Sequence, residues 1–413
     1  MNILLYTQVY PDEPGTKTLR SSSVCHYWTK EWVKLGHKVV VIYCYPNYNY
    51  IFHLAAKMFP QFISQFTNGT ITGYTTKTLT YNLDSVTVLK IPMRKLMPKI
   101  RYSQKQIDKI ICTAKSYIDD IEFNADLIVS HFDNPILEIA GIMKDVLNVP
   151  FTFVLHGYPS DIKRLYPTEY RELINKVDAW GFRSRSIKHD FELQFGKLDK
   201  TFIAYSGVPD SYIDNMGTRT EKKKGSICYV GALIKRKYPE KVLEATHMWL
   251  KDGSMSLTYI GQGALSKTIT NMAVKYDVFD NIRLLGQISR ENVQKELEYS
   301  DMFVMISRHE TFGMVYLEAM AHGCITIAAK NEGFDGVIED GVNGFLCEAG
   351  NADELKNIIL KIRVMQKEEL NVIRQNAINT AYNMTEMKMA KRYLDDVTGI
   401  LKSKGIIINN KSC

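Results

Sequence analysis

Short apolar runs alternate with longer stretches whose apolar positions recur at helical spacing, from one end of the chain to the other. That alternation is the mark of α/β sheets with parallel strands. Strands are expected at residues 2–7, 38–43, 85–90, 127–131, 151–156, 179–183 and 201–204. A second series is expected at 226–230, 256–260, 282–284, 302–306 and 325–328. The stretch 209–225 between them is polar, rich in Lys, Arg, Asp and Gly, and reads as a linker. The pattern predicts two α/β domains of similar size, with no internal repeat and no low-complexity segment.

One stretch breaks the alternation. On a helical wheel Ile51, Phe52, Ala55, Met58, Phe59, Phe62, Ile63 and Phe66 share one face, and His53, Lys57, Gln61 and Ser64 the other, with Pro60 placed to kink the helix. Downstream stand Lys90, Arg94, Lys95, Lys99, Arg101, Lys105, Lys109 and Lys115, opposed within the segment by Asp108 alone, a net of +7. Segments 50–66 and 90–115 together have the form of a dock for an anionic bilayer, here the inner membrane face. The alternative is a helix packed on its own domain beside a solvated basic face.

Composition narrows the classes. With 413 residues, 45% of them hydrophobic and 23% charged, the chain is neither disordered nor collagen-like nor mucin-like. No run approaches the ~18 apolar residues of a spanning helix. The opening Met-Asn-Ile-Leu-Leu-Tyr has no basic region ahead of it and reads as a first strand, not a signal peptide. Seven scattered cysteines without a C-x-x-C pair argue against a disulfide framework or structural zinc, and a reducing cytoplasm is expected. A net charge of +7 accommodates an anionic ligand or a membrane surface and does not indicate nucleic acid.

The densest chemistry lies in Ser307-Arg308-His309-Glu310-Thr311-Phe312-Gly313-Met314-Val315-Tyr316-Leu317-Glu318. A strand ends near Ile306, a loop carries Glu310 and Gly313, and a helix begins around Met314. Gly313 lets backbone approach a ligand closely, and the amides of the helix start form an anion site. Glu318, one turn in, projects back towards that start. Two carboxylates accepting hydroxyl hydrogen bonds beside an anion site suit a polyhydroxylated, phosphate-bearing ligand. Singly, each glutamate would read as a loop charge or a salt-bridged helix residue.

Gly231 follows the strand 226–230, and Lys235-Arg236-Lys237 precede a helix expected from Tyr238, placing cations at the carboxyl edge of a parallel sheet. Gly261-Gln262-Gly263 makes a third turn, but Ser266 stands where a dinucleotide fingerprint needs glycine, and there is no Walker A sequence. His156 ends the apolar strand 151–156 on the carboxyl edge of the first sheet, with His131, ending strand 127–131, a weaker candidate. Neither belongs to a set of spaced carboxylates or cysteines, so no metal site is expected.

On these residues the chain resembles the retaining family 4 glycosyltransferases of the GT-B fold. Glu310-x7-Glu318 resembles the family's paired-glutamate signature in its E-x-F-G setting, and Val230-Gly231…Lys237 its glycine–lysine loop. Ile260-Gly261-Gln262-Gly263, Leu285-Gly286, Ser300-Asp301 and Asp340-Gly341-x-Asn343-Gly344 are similar to its connecting landmarks, and Leu35-Gly36-His37-Lys38-Val39 and His156-Gly157 to its first domain. Arg20 and Pro46-Asn47-Tyr48 resemble a branch that builds bacterial surface polysaccharides.

The resemblance implies two Rossmann-like domains facing a cleft: an acceptor-binding domain over 1–206, a linker over 207–225 and a donor-binding domain over 226–385. The stretch 382–401 resembles the final helix, so 386–404 would cross back to the first domain. It further implies a nucleotide-sugar donor, with UDP expected, a glycan or lipid-linked acceptor, retention of configuration and no metal or other cofactor. Glu318 would bind the ribose, Glu310 the transferred sugar, and Lys237 the diphosphate, with the amides of Phe312, Gly313 and Met314 near phosphate or sugar. His156 would touch the sugar ring or position the acceptor. Gly231, Arg236 and Gly261 would complete the donor site, and Gly15 and Arg20 are candidates for the phosphate-side loop of the first domain.

There are departures. Ala232 stands where such enzymes carry arginine, and one lost preorganised donor typically costs about 10²–10³ in rate. Lys235 or Arg236 is positioned to substitute. The glycine pair near the first strand is missing, and Ser206 replaces the asparagine before the Gly-Val closing the first domain. Ala232 motivates a rival reading, a catalytically silent subunit that binds a partner or senses nucleotide sugar. An epimerase or a phosphorylase of the same fold is a further rival, though no lysine setting resembles a pyridoxal phosphate anchor.

Overall fold

The computed structural model describes residues 1–15, 23–48, 54, 58, 74–95, 100–214 and 222–406. Contacts divide the chain into two compact units: Met1–Arg183, Ile187–Ala204 and Met389–Cys413 in one, Ser184–Ser186 and Tyr205–Lys388 in the other.

The first unit contains β1 (Asn2–Thr7), β2 (Lys38–Tyr48), β3 (Leu79–Leu83), β4 (Val86–Lys95), β5 (Leu127–His131), β6 (Phe151–Leu155), β7 (Ala179–Phe182) and β8 (Thr201–Ile203). Among the described residues they form one sheet in the order β3-β4-β2-β1-β5-β6-β7-β8. All pairings are parallel except β3 on β4. The strand order reverses between β1 and β5, whose ends meet at Thr7 and His131. Such a switch point opens a crevice at the carboxyl edge.

Both faces of this sheet are buried, which is why its strands read as near-continuous apolar runs rather than alternating ones. Leu4, Tyr6, Ile42, Ile128 and Phe153 pack on one side. Ile3, Leu5, Val41, Val129 and Val154 pack on the other, against Trp28 and Trp32. The helix Glu386–Ser403 completes that second layer with Ala390, Tyr393, Leu394, Val397 and Leu401. Trp32 Nε1 donates to Ala390 O at 2.9 Å, tying the last helix to the first.

The second unit contains β9 (Lys223–Val230), β10 (Ser256–Ile260), β11 (Ile282–Leu284), β12 (Ser300–Val304), β13 (Ile325–Ala329) and β14 (Phe345–Cys347). Among the described residues these form an all-parallel sheet in the order β11-β10-β9-β12-β13-β14. Its switch point falls between β9 and β12, the strands that lead into Gly231 and the Glu310 loop.

Several boundaries differ from expectation. Two edge strands were not expected: β3 has half-exposed and exposed positions only, and β14 is just three residues long. β2 and β4 extend to Tyr48 and Lys95, paired residue by residue. β9 starts at Lys223 and a helical turn occupies Ser211–Asp214, both within the stretch read as linker. The stretch 382–401 is not one helix: Lys367–Tyr382 ends and Glu386–Ser403 begins after a break. There Glu386 N bonds to Val208 O at 2.8 Å and Val208 N to Met384 O at 3.0 Å.

Among the described residues the basic run does not form one cationic face. Lys90 is buried against Asp12 at 2.5 Å and Glu13 at 3.3 Å, with its ammonium 4.2 Å from the Tyr45 ring. Arg101 pairs with Glu138 and Glu169, each at 2.9 Å, and Lys115 with Asp119 at 2.6 Å. Burial lowers the Lys95 ammonium to about 8. For Lys90 and Arg101 the counter-charges come from distant elements, invisible in a local count, whereas Asp119 lies one turn along the same helix as Lys115. The aromatic helix read at 50–66 lies outside the described residues apart from Leu54 and Met58. No helix among the described residues is long and apolar enough to cross a membrane.

Candidate active site

The loops after β9, β10 and β11 are laced through their backbones. Gly231 N donates to Ile260 O at 2.8 Å, Gly261 N to Gly286 O at 2.7 Å, and Leu233 N to Gln262 O at 3.0 Å. Gly261 has φ +137°, and a Cβ there would lie 2.0 Å from Gly231 O, so no other residue fits. After this lacing the chain makes a tight turn over Lys235–Lys237, and Tyr238 takes φ +48° before the helix Pro239–Lys251. The turn delivers Lys237 back over the carboxyl end of β9.

The loop after β12 meets it. Arg308 N donates to Arg236 O at 2.7 Å and Arg236 Nη1 to His309 O at 3.2 Å. Lys237 Nζ and Glu310 Oε2 form an ion pair at 2.9 Å, with side chains 14% and 13% exposed. Glu310 is also held from its backbone: its N–H donates to Glu332 Oε2 at 3.0 Å. Burial raises the pKa of the Glu332 carboxyl. No motif marks Glu332 as a site residue, because its role comes from β13 lying beside β12.

Gly313, at φ +81°, caps the helix Met314–Ala321 without a side-chain cap, so the first amides of that helix face outward from its N-terminus. The Phe312 side chain is core, packed against Tyr205 and Phe334 with both ring centroids at 5.4 Å. What Phe312 offers a ligand is therefore its backbone. Glu318 lies one turn into the helix, where its Oε1 accepts from Arg290 Nη2 at 2.9 Å. Arg290 in turn stacks on the Tyr212 ring at 5.4 Å. Sequence reasoning missed Arg290, which follows an N-capped helix start at Ser289 and belongs to no motif.

The second unit thus gathers Gly231, Arg236, Lys237, Gly261, Glu310, Phe312, Gly313, Met314 and Glu318 at its carboxyl edge. The position of Ala232 carries no charge, and Arg236 is engaged with the Glu310 loop.

His156 belongs to the first unit, one residue beyond β6. Its Nε2 lies 2.8 Å from His131 Nδ1, so the two histidines read separately from the sequence are a bonded pair. His131 stacks on Trp28 at 4.9 Å and His156 on Phe132 at 4.1 Å. Burial, then the neighbouring positive groups, holds both imidazoles well below their ordinary pKa, so both are neutral at pH 7. Gly15 is exposed at φ +86°, and Arg20 lies outside the described residues.

Two doubly wound sheets, parallel apart from β3, with glycine-tight loops and paired charges at the switch point of the second, are the architecture of the GT-B fold. The family model described as Glycosyl transferases group 1 matches residues 215–380. An uncharacterized glycosyltransferase, MJ1178 of Methanocaldococcus jannaschii, is 31% identical over 250 residues, 59% of this chain and 67% of that one. The chain belongs to the group 1 glycosyl transferases. The amylovoran biosynthesis glycosyltransferase AmsK of Erwinia amylovora is 25% identical over 288 residues, 65% of this chain and 69% of that one. Among solved structures, Anabaena Alr3699/HepE in complex with UDP and glucose superposes with a TM-score of 0.62 over 97% of this chain and 99% of that one, at 16% identity. At that identity the likeness concerns the fold.

Proposed function

We propose that this protein transfers a hexose-type sugar from a UDP-sugar to a glycan or lipid-linked acceptor, with retention and without a metal ion, in the synthesis of a surface polysaccharide. The observation that carries the reading is the Lys237–Glu310 pair at the switch point of the second sheet, next to an uncapped helix N-terminus. The AmsK likeness supports the polysaccharide setting, and the UDP and glucose bound by the Anabaena protein support the donor.

The barrier in such a transfer is rupture of the bond between the sugar and the diphosphate, with negative charge growing on the leaving oxygen. Lys237 and the amides of Gly313 and Met314 are preorganised to stabilise that charge, which is where electrostatic catalysis acts. Glu310 accepts hydrogen bonds from hydroxyls of the sugar, and Glu318 from those of the ribose. In the free protein Glu310 occupies Lys237. Sugar hydroxyls that satisfy Glu310 release the ammonium towards the phosphates. Arg236 supplies the second cation in place of an arginine at position 232. Retention follows from attack on the face the leaving group departs from, the leaving phosphate oxygen taking the acceptor's proton. The lysine and arginine cations do the neutralising that a divalent ion does elsewhere. Membrane attachment through 50–66 and 90–115 now leans on the exposed Arg94, Lys105 and Lys109, and failure to bind anionic vesicles at low salt removes it.

Thermal stabilisation by UDP, GDP and ADP and by their sugars tests the reading, with Glu318→Ala as control. A ligand at a hundred times its Kd adds about 2.7 kcal/mol. Stabilisation by UDP, strengthened by one UDP-sugar and abolished in the variant, supports a transferase. The anomeric configuration of the product, followed by NMR with chelator present, tests retention and metal independence. No response to any nucleotide points instead to the silent subunit that Ala232 motivates.

A further inference from the structure

The pairing of His131 with His156 constrains where the protons sit. Both rings are neutral, so each carries one proton on one of its two nitrogens. The 2.8 Å contact between His131 Nδ1 and His156 Nε2 needs a donor on one side and a bare nitrogen on the other. Two arrangements satisfy it. If His156 Nε2 donates, the proton of His131 must sit on Nε2. If His131 Nδ1 donates, His131 Nε2 is bare, His156 Nε2 is bare, and the proton of His156 sits on Nδ1.

The surroundings of His131 choose between them. Its Nε2 is fully buried with no hydrogen-bond partner among the described residues. Orphaned buried N–H groups are rarer than orphaned acceptors, and an unpaired donor forfeits all of its hydration. The charge acting on the ring is that of Arg183, a buried guanidinium stacked on the same Trp28 that stacks on His131. A nearby positive charge favours a lone pair and opposes an N–H. The second arrangement therefore wins on both counts.

We propose that His131 is a positioning residue that locks His156 in its Nδ1–H tautomer, so that His156 meets its ligand as a neutral hydrogen-bond donor and not as a base. His156 Nδ1 is the ring nitrogen left over from the pair, and the residue is partly exposed. It suits an oxygen lone pair, as on a hydroxyl of a bound sugar; that ligand class rests on the proposed function, while the tautomer does not. On the proposed function His156 cannot take the acceptor's proton, which passes to the leaving phosphate oxygen.

The experiment uses the full-length chain with ¹⁵N-labelled histidine. Long-range ¹H–¹⁵N correlation spectra report which ring nitrogen of each histidine carries the proton, with assignments from His131→Asn and His156→Gln. The expected result is protonated Nδ1 and bare Nε2 on both residues at pH 7.5. A proton on His156 Nε2 in the wild type overturns the proposal. His131→Asn keeps an N–H donor at the same place and preserves the His156 tautomer. His131→Asp offers only an acceptor and flips His156 to Nε2–H. With a confirmed donor, kcat stays near wild type in the first variant and falls about 10–100-fold in the second, in the range of a lost hydrogen bond to a reacting group. Two folded variants with the same His156 tautomer also overturn the proposal. A chain that transfers no sugar yet shows Nδ1–H on His156 refutes the transferase reading and leaves the tautomer standing.

Discussion

Replacing Lys237 by Met separates what the Lys237–Glu310 pair does for stability from what it does for chemistry. Both side chains are about one-seventh exposed and their charged atoms are 2.9 Å apart. At an effective dielectric of ~20 the attraction is about 6 kcal/mol before any desolvation is counted. Desolvation cancels much of that, and removing one partner of a mostly buried pair leaves a carboxylate without its counter-ion. Lys237→Met is therefore expected to destabilise the chain by about 1–3 kcal/mol in urea denaturation. Glu310→Gln on that background removes the stranded charge and recovers at least about 1 kcal/mol, a coupling typical of contacting residues. Activity behaves differently. On the proposed function the cation that faces the leaving diphosphate is gone in both variants, so kcat/KM for the UDP-sugar is expected to fall about 10²–10³-fold with no recovery from the second substitution. A double-mutant coupling within about 0.3 kcal/mol of zero, or a Lys237→Met rate within about threefold of wild type, refutes the reasoning.

Gly261→Ala is expected to cost about 2–4 kcal/mol or prevent folding, since its Cβ would sit 2.0 Å from Gly231 O at a backbone angle of +137°; a melting temperature within a degree of wild type contradicts this. Arg290→Ala frees Glu318 from its 2.9 Å partner, and calorimetry is expected to show UDP binding weakened about 5–20-fold, with no change for Lys295→Ala on the same helix. The depressed His131 and His156 make stability depend on pH. Unfolded imidazoles gain protons near pH 6.5 while these two do not, so their contribution is complete above that value and is lost as pH falls, by up to about 1.4 kcal/mol per unit for each. Between pH 7.5 and 5.5 wild type should lose about 1.4 kcal/mol more than His131→Asn, and equal losses rule this out.

Much of this was legible in the order of residues alone. The two series of strands, the glycine-bearing turns after them and the helix opening at Met314 follow from side-chain periodicity and from backbone angles that only glycine tolerates. Those are requirements between near neighbours, so they are written locally. Glu310 and Glu318 could be read together because one loop and one helical turn separate them. What the tertiary structure alone decided is which charge meets which. Lys237 reaches Glu310 across 73 positions, Arg290 reaches Glu318 across 28, and His131 reaches His156 across 25. Lys90, counted along the chain as part of a basic face, is buried on Asp12 from 78 positions away. Strand order sets these meetings, and strand order depends on how whole layers bury their apolar faces. A charge run or a lone histidine carries no record of that, because its partner is chosen by the sheet and not by the sequence beside it.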